Sequence, residues 1–565
     1  MVTGGRVAVR GEMRHHGPMH AIGARSGRPT APRHPLPLAR SVVLALAVLA
    51  GGLAVPVGAA ANEFPRGWEG FHTYTELSAE VAAVAAAHPD IVERFSIGKS
   101  YKGRELWAVK VSDNVTVDET EPEVLFDGGT HSDEHMGVEM TLRILHWLVD
   151  GYGTDPRITR IVDGREVWIV FSMNPDGAEY DISGGRYHFW RKNRQPTPGT
   201  SAIGTDLNRN FGYRWGGGGR TSSNPWAITY RGPRAFSSPE DRALRDFLAG
   251  RVVNGRQQIR TAISFHEYGR LVMWSYGYTK TDVPGDMTVQ DHTAMARLGR
   301  HMAGSNGYRA EQASDLYITS GTTHDYEYGR YRIFAYTFEL SVKDYPDDSR
   351  IASETGRNRD AVLYLMEQAG CPYAVLGAAV AAARCGAFDD DLEVARGWRV
   401  DPDGTDTAPA SGRFARGNPA STSANGPKQL GTVTSGSGAL VTGLAAGTRA
   451  SAHDLDGLST VRSPAVELAA APGQRLTFRY VFAHDRHSTS ADAFRAVVEA
   501  ADGTQTVVFS RSGRPTDVDG AWRSAAVSLD PWAGQVVHLR FVAVDGGVGN
   551  LVEVEVDDVR VTRPS

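Results

Sequence analysis

Two cysteines, Cys371 and Cys385, are all that 565 residues offer, so the chain can close at most one disulfide. In an exported protein a pair fourteen residues apart is read as a disulfide rather than as a reactive thiol. Long apolar runs are equally scarce. One occurs, SVVLALAVLAGGLAVPVGAA at 41–60, in a chain that is 41% hydrophobic with a mean hydropathy of −0.31, which describes a globular protein rather than a multispanning membrane protein. Basic clusters are absent beyond residue 40 and the net charge is −5, which argues against nucleic acid or an anionic membrane as partner. No internal repeat is visible. The helix-borne H-E-x-x-H motif is missing too: its nearest approach, HEYGR at 266–270, has Arg270 where the second histidine should stand.

What is present begins with a leader. Seven arginines against one acid, Glu12, precede the apolar run, and small residues follow it at Ala59, Ala60 and Ala61. This is the layout of a secretory signal cut near residue 61, and it predicts a secreted protein. No cysteine lies nearby to carry a lipid and no Arg-Arg pair marks a twin-arginine route. Cleavage takes the net charge from −5 to −11 and leaves no stable membrane span.

Residues 62–370 alternate helical and strand periodicities. TYTELSAEVAAVAAAHPD (73–90) predicts a capped helix and EHMGVEMTLRILHWLV (134–149) a second. Strands are predicted at ERFSIG, ELWAVKV, EVLFD (123–127), VWIVFSM (167–173), TAISF (261–265) and IFAYTFEL (333–340). The expected fold is α/β, with a mixed, mostly parallel central sheet flanked by helices. In such sheets ligands gather beyond the carboxyl ends of the strands. His131 follows EVLFD, NPDG (174–177) follows VWIVFSM, His266 follows TAISF, and Glu339 ends IFAYTFEL. His131 and Glu134, joined by His266, form the His/His/Glu set with an open position that a catalytic zinc needs, and Asp206 is placed to fix the His131 tautomer.

Seven motifs then stand in order: H-x-x-E at 131–134, NPDG, FWRKNR at 189–194, DLNRNF at 206–211, SFHEYG at 264–269, LYITSG at 316–321 and FEL at 338–340. In order and spacing this region resembles the zinc metallocarboxypeptidases, in the carboxypeptidase A and carboxypeptidase T branch of secreted bacterial type. The resemblance implies one zinc held by His131, Glu134 and His266, and Glu339 as general base. It implies Arg191 as the group that polarises the scissile carbonyl, Asn208 and Arg209 as the clamp on the substrate's terminal carboxylate, and Tyr317 closing over it. Tyr268 would border the substrate. The pocket for the terminal side chain would be built from Met273, Gly277, Thr319, Thr322, His324 and Thr337, with no carboxylate at its base, which implies a preference for apolar or aromatic C-terminal residues. Asp133 and Glu267 depart from the family pattern and are expected beside the subsites upstream of the cleaved bond. No prosegment is expected between the leader and the first helix. Expected partners are peptides or proteins with a free C-terminus, and the chain is expected to be a monomer. Two other readings stay open: hydrolysis of cell-wall peptides by the same zinc site, and a binding protein whose chemistry is lost. Retained Glu339 and Arg191 count against the latter.

From residue 387 helical periodicity gives way to short β-rich runs, predicting an all-β, jelly-roll-like sandwich over 387–565, joined through a disulfide-stapled linker at 371–386. FDDDLE (388–393) and VDDV (556–559) lie at the two ends of that domain. If its terminal strands pair, Asp389, Asp390, Glu393, Asp557 and Asp558 are expected to meet, as ligands of a structural calcium or as a solvated acidic edge.

Overall fold

The computed structural model describes residues 63–119, 121–253, 255–446, 453–547 and 549–562, so the expected leader lies outside the described residues. Among them no helix is long and apolar enough to cross a membrane.

The first part of the chain builds an eight-stranded sheet from β1 (Val92–Lys99), β2 (Glu105–Val111), β3 (Glu123–Gly128), β4 (Glu166–Val170), β5 (Ile259–Glu267), β6 (Leu271–Trp274), β7 (Arg309–Gln312) and β8 (Phe334–Leu340). The spatial order is β1-β2-β4-β3-β5-β8-β6-β7. The central run β4-β3-β5-β8 is parallel, whereas β1-β2, β2-β4 and β8-β6 are antiparallel. The mixed, mostly parallel sheet expected from the sequence is therefore present. Every residue of β3 and β4 is buried, because helices cover both faces, and such strands read as unbroken apolar runs.

Helix α1 (Tyr74–Ala87) opens with a capping box between Thr73 and Glu76. Helix α2 (Met136–Gly151) starts two residues later than its apolar spacing suggests, because 131–135 form the turn that carries the site. Gly137 makes that turn possible. A Cβ there would sit 2.7 Å from the Phe265 carbonyl, so only glycine lets the helix start press onto β5 beside His266.

The segment expected as a linker is instead a short 3-10 turn (Pro372–Leu376) and a helix (Ala378–Arg384), held by the Cys371–Cys385 disulfide. Cys371 and Tyr373 belong to the first hydrophobic core. Beyond them two antiparallel sheets face each other around a second core. In chain order the strands are β9 (Phe388–Asp390), β10 (Arg399–Val400), β11 (Ala415–Gly417), β12 (Ala439–Val441), β13 (Leu458–Glu467), β14 (Arg475–His484), β15 (Ala493–Ala500), β16 (Gln505–Ser512), β17 (Arg523–Ser528), β18 (Val536–Val544) and β19 (Val552–Val561). One sheet runs β11-β12-β19-β14-β17 with β9 on β19, and the other runs β10-β13-β18-β15-β16.

The terminal strands of the sandwich do pair, Asp389 opposite Arg560, but the carboxylates do not converge on a cation. Asp389 is held by Arg560 (2.9 Å) and Arg384 (3.0 Å), and Asp390 accepts from Trp398 Nε1 (2.8 Å). Glu393 takes the Ser437 and Gly438 N–H groups, Asp557 takes the Thr434 N–H and hydroxyl, and Asp558 takes Ser435 Oγ and Arg560. Adjacent strand residues point to opposite faces, so Asp389 and Asp390 cannot share a ligand. The calcium set expected from the sequence is replaced by guanidinium pairs and hydroxyl donors.

Candidate metal centre and active site

At the carboxyl ends of β3 and β5 the chain brings together His131, Glu134 and His266, all buried, with their ligand atoms within 4.8 Å of one another. His131 Nδ1 lies 2.8 Å from Glu134 Oε1, and His266 Nδ1 lies 2.8 Å from Glu134 Oε2. The two Nδ1 atoms are 3.0 Å apart. Two imidazole nitrogens turned toward one another and toward one carboxylate make a donor set that a cation satisfies better than any proton arrangement, and its composition is that of zinc. The residues present therefore fit the metal expected from the sequence.

Each ligand is braced from behind. His131 Nε2 lies 3.2 Å from Asp206 Oδ1, as expected. His266 Nε2 lies 3.2 Å from Ser264 Oγ, which donates to Asp127 Oδ1 at 2.7 Å. Sequence reasoning missed this second brace, although Ser264 stands two residues before His266 on a strand and so shares its face. Glu134 Oε2 also accepts the Glu267 N–H at 3.1 Å. Arg191 ties the group together, donating from Nη1 to Glu134 (3.0 Å) and from Nε to Asp206 (3.2 Å). Burial alone would raise the Asp206 carboxyl, but Arg191, Arg209 and His131 outweigh it and hold the group well below the usual range.

Glu339 sits on β8 opposite His266 in the parallel register. Its Oε2 is buried with no donor, and burial followed by the Glu134 carboxylate pushes its pKa up to about 8. A cation among the ligands would pull it back down. A carboxylate kept without hydrogen bonds beside a metal set is suited to accept a proton.

Arg209 is 2% exposed, donating to the Arg220 carbonyl (2.9 Å) and to that of Asn208 (2.6 Å). Its charge lowers the pKa of both Asp206 and Glu339, which places it in the same field as the ligands. The Tyr317 ring lies 6.0 Å from the Arg209 guanidinium and 4.8 Å from that of Arg220, a neighbour sequence reasoning did not single out. Asn208 Oδ1 accepts the Thr323 N–H at 2.9 Å, tying the 207–209 turn to helix α3 (Thr323–Tyr331).

That helix carries His324. Its Nδ1 lies 3.0 Å from Thr337 Oγ1, its Nε2 3.4 Å from Thr322 Oγ1 and 3.2 Å from Asp325 Oδ1. A Cβ on Gly277 would meet Thr319 at 3.3 Å and His324 at 3.4 Å, and Met273 is the cross-strand partner of Thr337. The six expected pocket residues thus meet, two positions along β8 from Glu339. Asp325 is already engaged by the Gly277 and Tyr278 N–H groups. Tyr268, by contrast, is 52% exposed and makes no hydrogen bond or ring contact among the described residues. Glu267 is buried, with Oε2 accepting the Met136 N–H at the start of α2, so it supports the helix rather than facing a subsite. His135 pairs with Asp181 (3.0 Å) and Glu139 with His72 (3.0 Å), which takes both out of the ligand set.

The sequence profile described as zinc carboxypeptidase, peptidase family M14, matches residues 77–361. A zinc carboxypeptidase of Saccharothrix mutabilis subsp. capreolus is 45% identical over 324 residues, 56% of this chain and 73% of that protein. Pig carboxypeptidase A1 is 32% identical over 272 residues, 48% of this chain and 62% of the pig protein, a little under two thirds of its length. Among solved structures, thrombin-activatable fibrinolysis inhibitor aligns with 26% identity and a TM-score of 0.48 over 53% of this chain and 74% of its own. Carboxypeptidase A of Helicoverpa armigera aligns with 25% identity and a TM-score of 0.47 over 54% and 74%.

Proposed function

The chain belongs to the zinc carboxypeptidase family, and from that premise we propose that it removes the C-terminal residue of peptides and proteins outside the cell, preferring apolar or aromatic residues. The observation that carries the reading is the convergence of the His131/Glu134/His266 set with an undonated Glu339 and a buried Arg209.

Zinc held by His131, Glu134 and His266 would supply Lewis acidity and a water acidic enough to be deprotonated near neutral pH. Glu339, whose buried Oε2 has no donor, is the group that would accept a proton from the attacking water and return it to the departing amine. Arg191, fixed by Glu134 and Asp206, presents positive charge where negative charge develops on the carbonyl oxygen. Arg209 and Asn208 receive the chain-end carboxylate; a guanidinium fork suits that group and disfavours an internal peptide. Tyr317, resting near Arg209 and Arg220, covers the bound end. In the terminal-residue pocket Asp325 is spent on backbone N–H groups and His324, so a lysine or arginine head would find no unengaged carboxylate and would be buried unpaired. Export rests on the basic stretch and apolar run before residue 61, and the protein is read as a monomer.

A digest of a mixed peptide pool, read by mass spectrometry, tests the activity. Loss of single C-terminal residues, with C-terminal amides spared, is the expected result. Internal cleavage, or activity only on muropeptides ending in D-amino acids, would overturn it. Matched peptides ending in Phe, Leu, Arg and Glu test the preference: Arg cleaved as efficiently as Phe defeats it.

A further inference from the structure

The strand ends of the sandwich collect a second donor group, remote in sequence from the catalytic motifs. β13 begins just after Asp456 and β18 ends just before Asp545, with Leu458 opposite Val544 in the register, and the Asp545 N–H donates to the Gly457 carbonyl at 2.8 Å. Strand pairing alone therefore sets Asp456 beside Asp545. Asp454 joins them, and one carboxylate oxygen from each of the three lies within 4.8 Å of the others. Asp492 precedes β15, whose Ala493 also faces Val544, and Asp485 follows β14, so further acids stand at the same end.

Among the described residues these carboxylates have no cationic partner: no lysine or arginine pairs with Asp454, Asp456 or Asp545, and no N–H reaches Asp454 or Asp456. Asp454 is 7% exposed and Asp545 4%. Asp545 Oδ1 accepts the Gly547 N–H at 3.2 Å, but its Oδ2 is buried with no donor. Asn550, which donates to Asp492 at 2.9 Å, turns its own Oδ1 against Gly547, and that oxygen too is buried with no donor. Orphaned buried oxygens beside clustered carboxylates are a costly arrangement unless something positive binds them.

We propose that Asp454, Asp456 and Asp545 bind a calcium ion that locks this end of the sandwich. The donor set is all oxygen, without histidine or cysteine, which selects a hard cation over zinc. Irregular loop geometry suits calcium, which takes about six to eight oxygens, better than magnesium with its strict octahedron. Burial, then Asp456, Asp545 and Asp485, pushes the Asp454 carboxyl up to about 7, the response of acids that lack a counterion.

The full chain, stripped with chelator and resupplied with one equivalent of zinc, is titrated with calcium while thermal unfolding and calorimetric stoichiometry are followed, beside the double variant Asp454→Asn/Asp545→Asn. The wild type is expected to gain about 5 °C or more in Tm at saturating calcium. The variant should lose most of that gain and bind one equivalent fewer, while melting at or above the wild type in calcium-free buffer, because the repulsion is gone. Equal calcium responses and stoichiometries in the two proteins overturn the site. So does a variant that melts far below the wild type without calcium, since the carboxylates would then be satisfied as they stand. An equal gain from magnesium overturns the assignment to calcium.

Discussion

The zinc-type group at 131–266 and the carboxylate group at 454–545 are both convergences of donors at strand ends, yet they are held in opposite ways. In the first, every ligand has a brace: Asp206 behind His131, Ser264 and Asp127 behind His266, Arg191 and the Glu267 N–H on Glu134. In the second, like charges meet with almost no donors behind them among the described residues. A braced site keeps its shape and spends ligand affinity on chemistry, whereas an unbraced one depends on its ion for order. The contrast between histidine-rich and oxygen-only donors is the basis on which a different metal is proposed for each group.

The sharpest way to break the comparison is at Glu339, the proposed base. Glu339→Gln should keep zinc at one equivalent by elemental analysis and lose about 10²–10⁴-fold in kcat. His266→Ala should lose both zinc and activity. A Glu339→Gln protein with near-normal turnover would remove the base from its role. Next, Arg209→Ala should lower kcat/KM for free-acid peptides by about 10²-fold or more through loss of a buried charge-assisted clamp. The preference for the free acid over the C-terminal amide should collapse with it; an unchanged acid-to-amide ratio would place carboxylate recognition elsewhere. A smaller effect is expected from the brace. Ser264→Ala should release zinc about 10-fold or more faster into a chelator while Ser264→Thr retains it, and equal release rates would leave Ser264 without a part in metal binding.

The smallest expected effect concerns the sandwich and pH. Burial pushes Glu555 and Asp557 up to about 7, Asp557 further through Asp558. Folded values above unfolded ones mean that these groups favour the native state below their unfolded pKa near 4, and that this contribution is lost as pH rises through about 7. Between pH 5.5 and 8 the wild type should therefore lose a few degrees of Tm relative to Glu555→Gln. Parallel pH curves for the two proteins would contradict it.

The convergence of His131, Glu134, His266 and Glu339 was legible because its evidence is local. H-x-x-E lies within one turn, β3, β5 and β8 announce themselves as apolar runs, and their ends deliver His131, His266 and Glu339 together. The Ser264–Asp127 brace was half legible, in the period of the strand, but the partner at 127 depends on which strand lies beside β5. Glu267 was misplaced because nothing in the sequence says that the α2 amide at Met136 turns toward it. The acidic ends of the sandwich misled in a similar way: pairing of β9 with β19 was readable, whereas Arg384 and Arg560 reaching Asp389 was not. Asp454 and Asp545, ninety-one residues apart, became neighbours only through the register of β13 with β18.

The helical turn closed by Cys371–Cys385 bears on how this chain can be cut. Arg384, 7% exposed, reaches Asp291 (3.2 Å) in the first part and Asp389 (3.0 Å) at the start of the sandwich, while Tyr373 donates to Asp291 at 2.7 Å. Truncation after residue 370 would remove two of the buried partners of Asp291 and leave Tyr328 as the hydrogen-bond donor to its carboxylate. Truncation after residue 386 would keep the arginine, the tyrosine and the disulfide. Anyone expressing the peptidase half without its companion should therefore draw the boundary past the second cysteine.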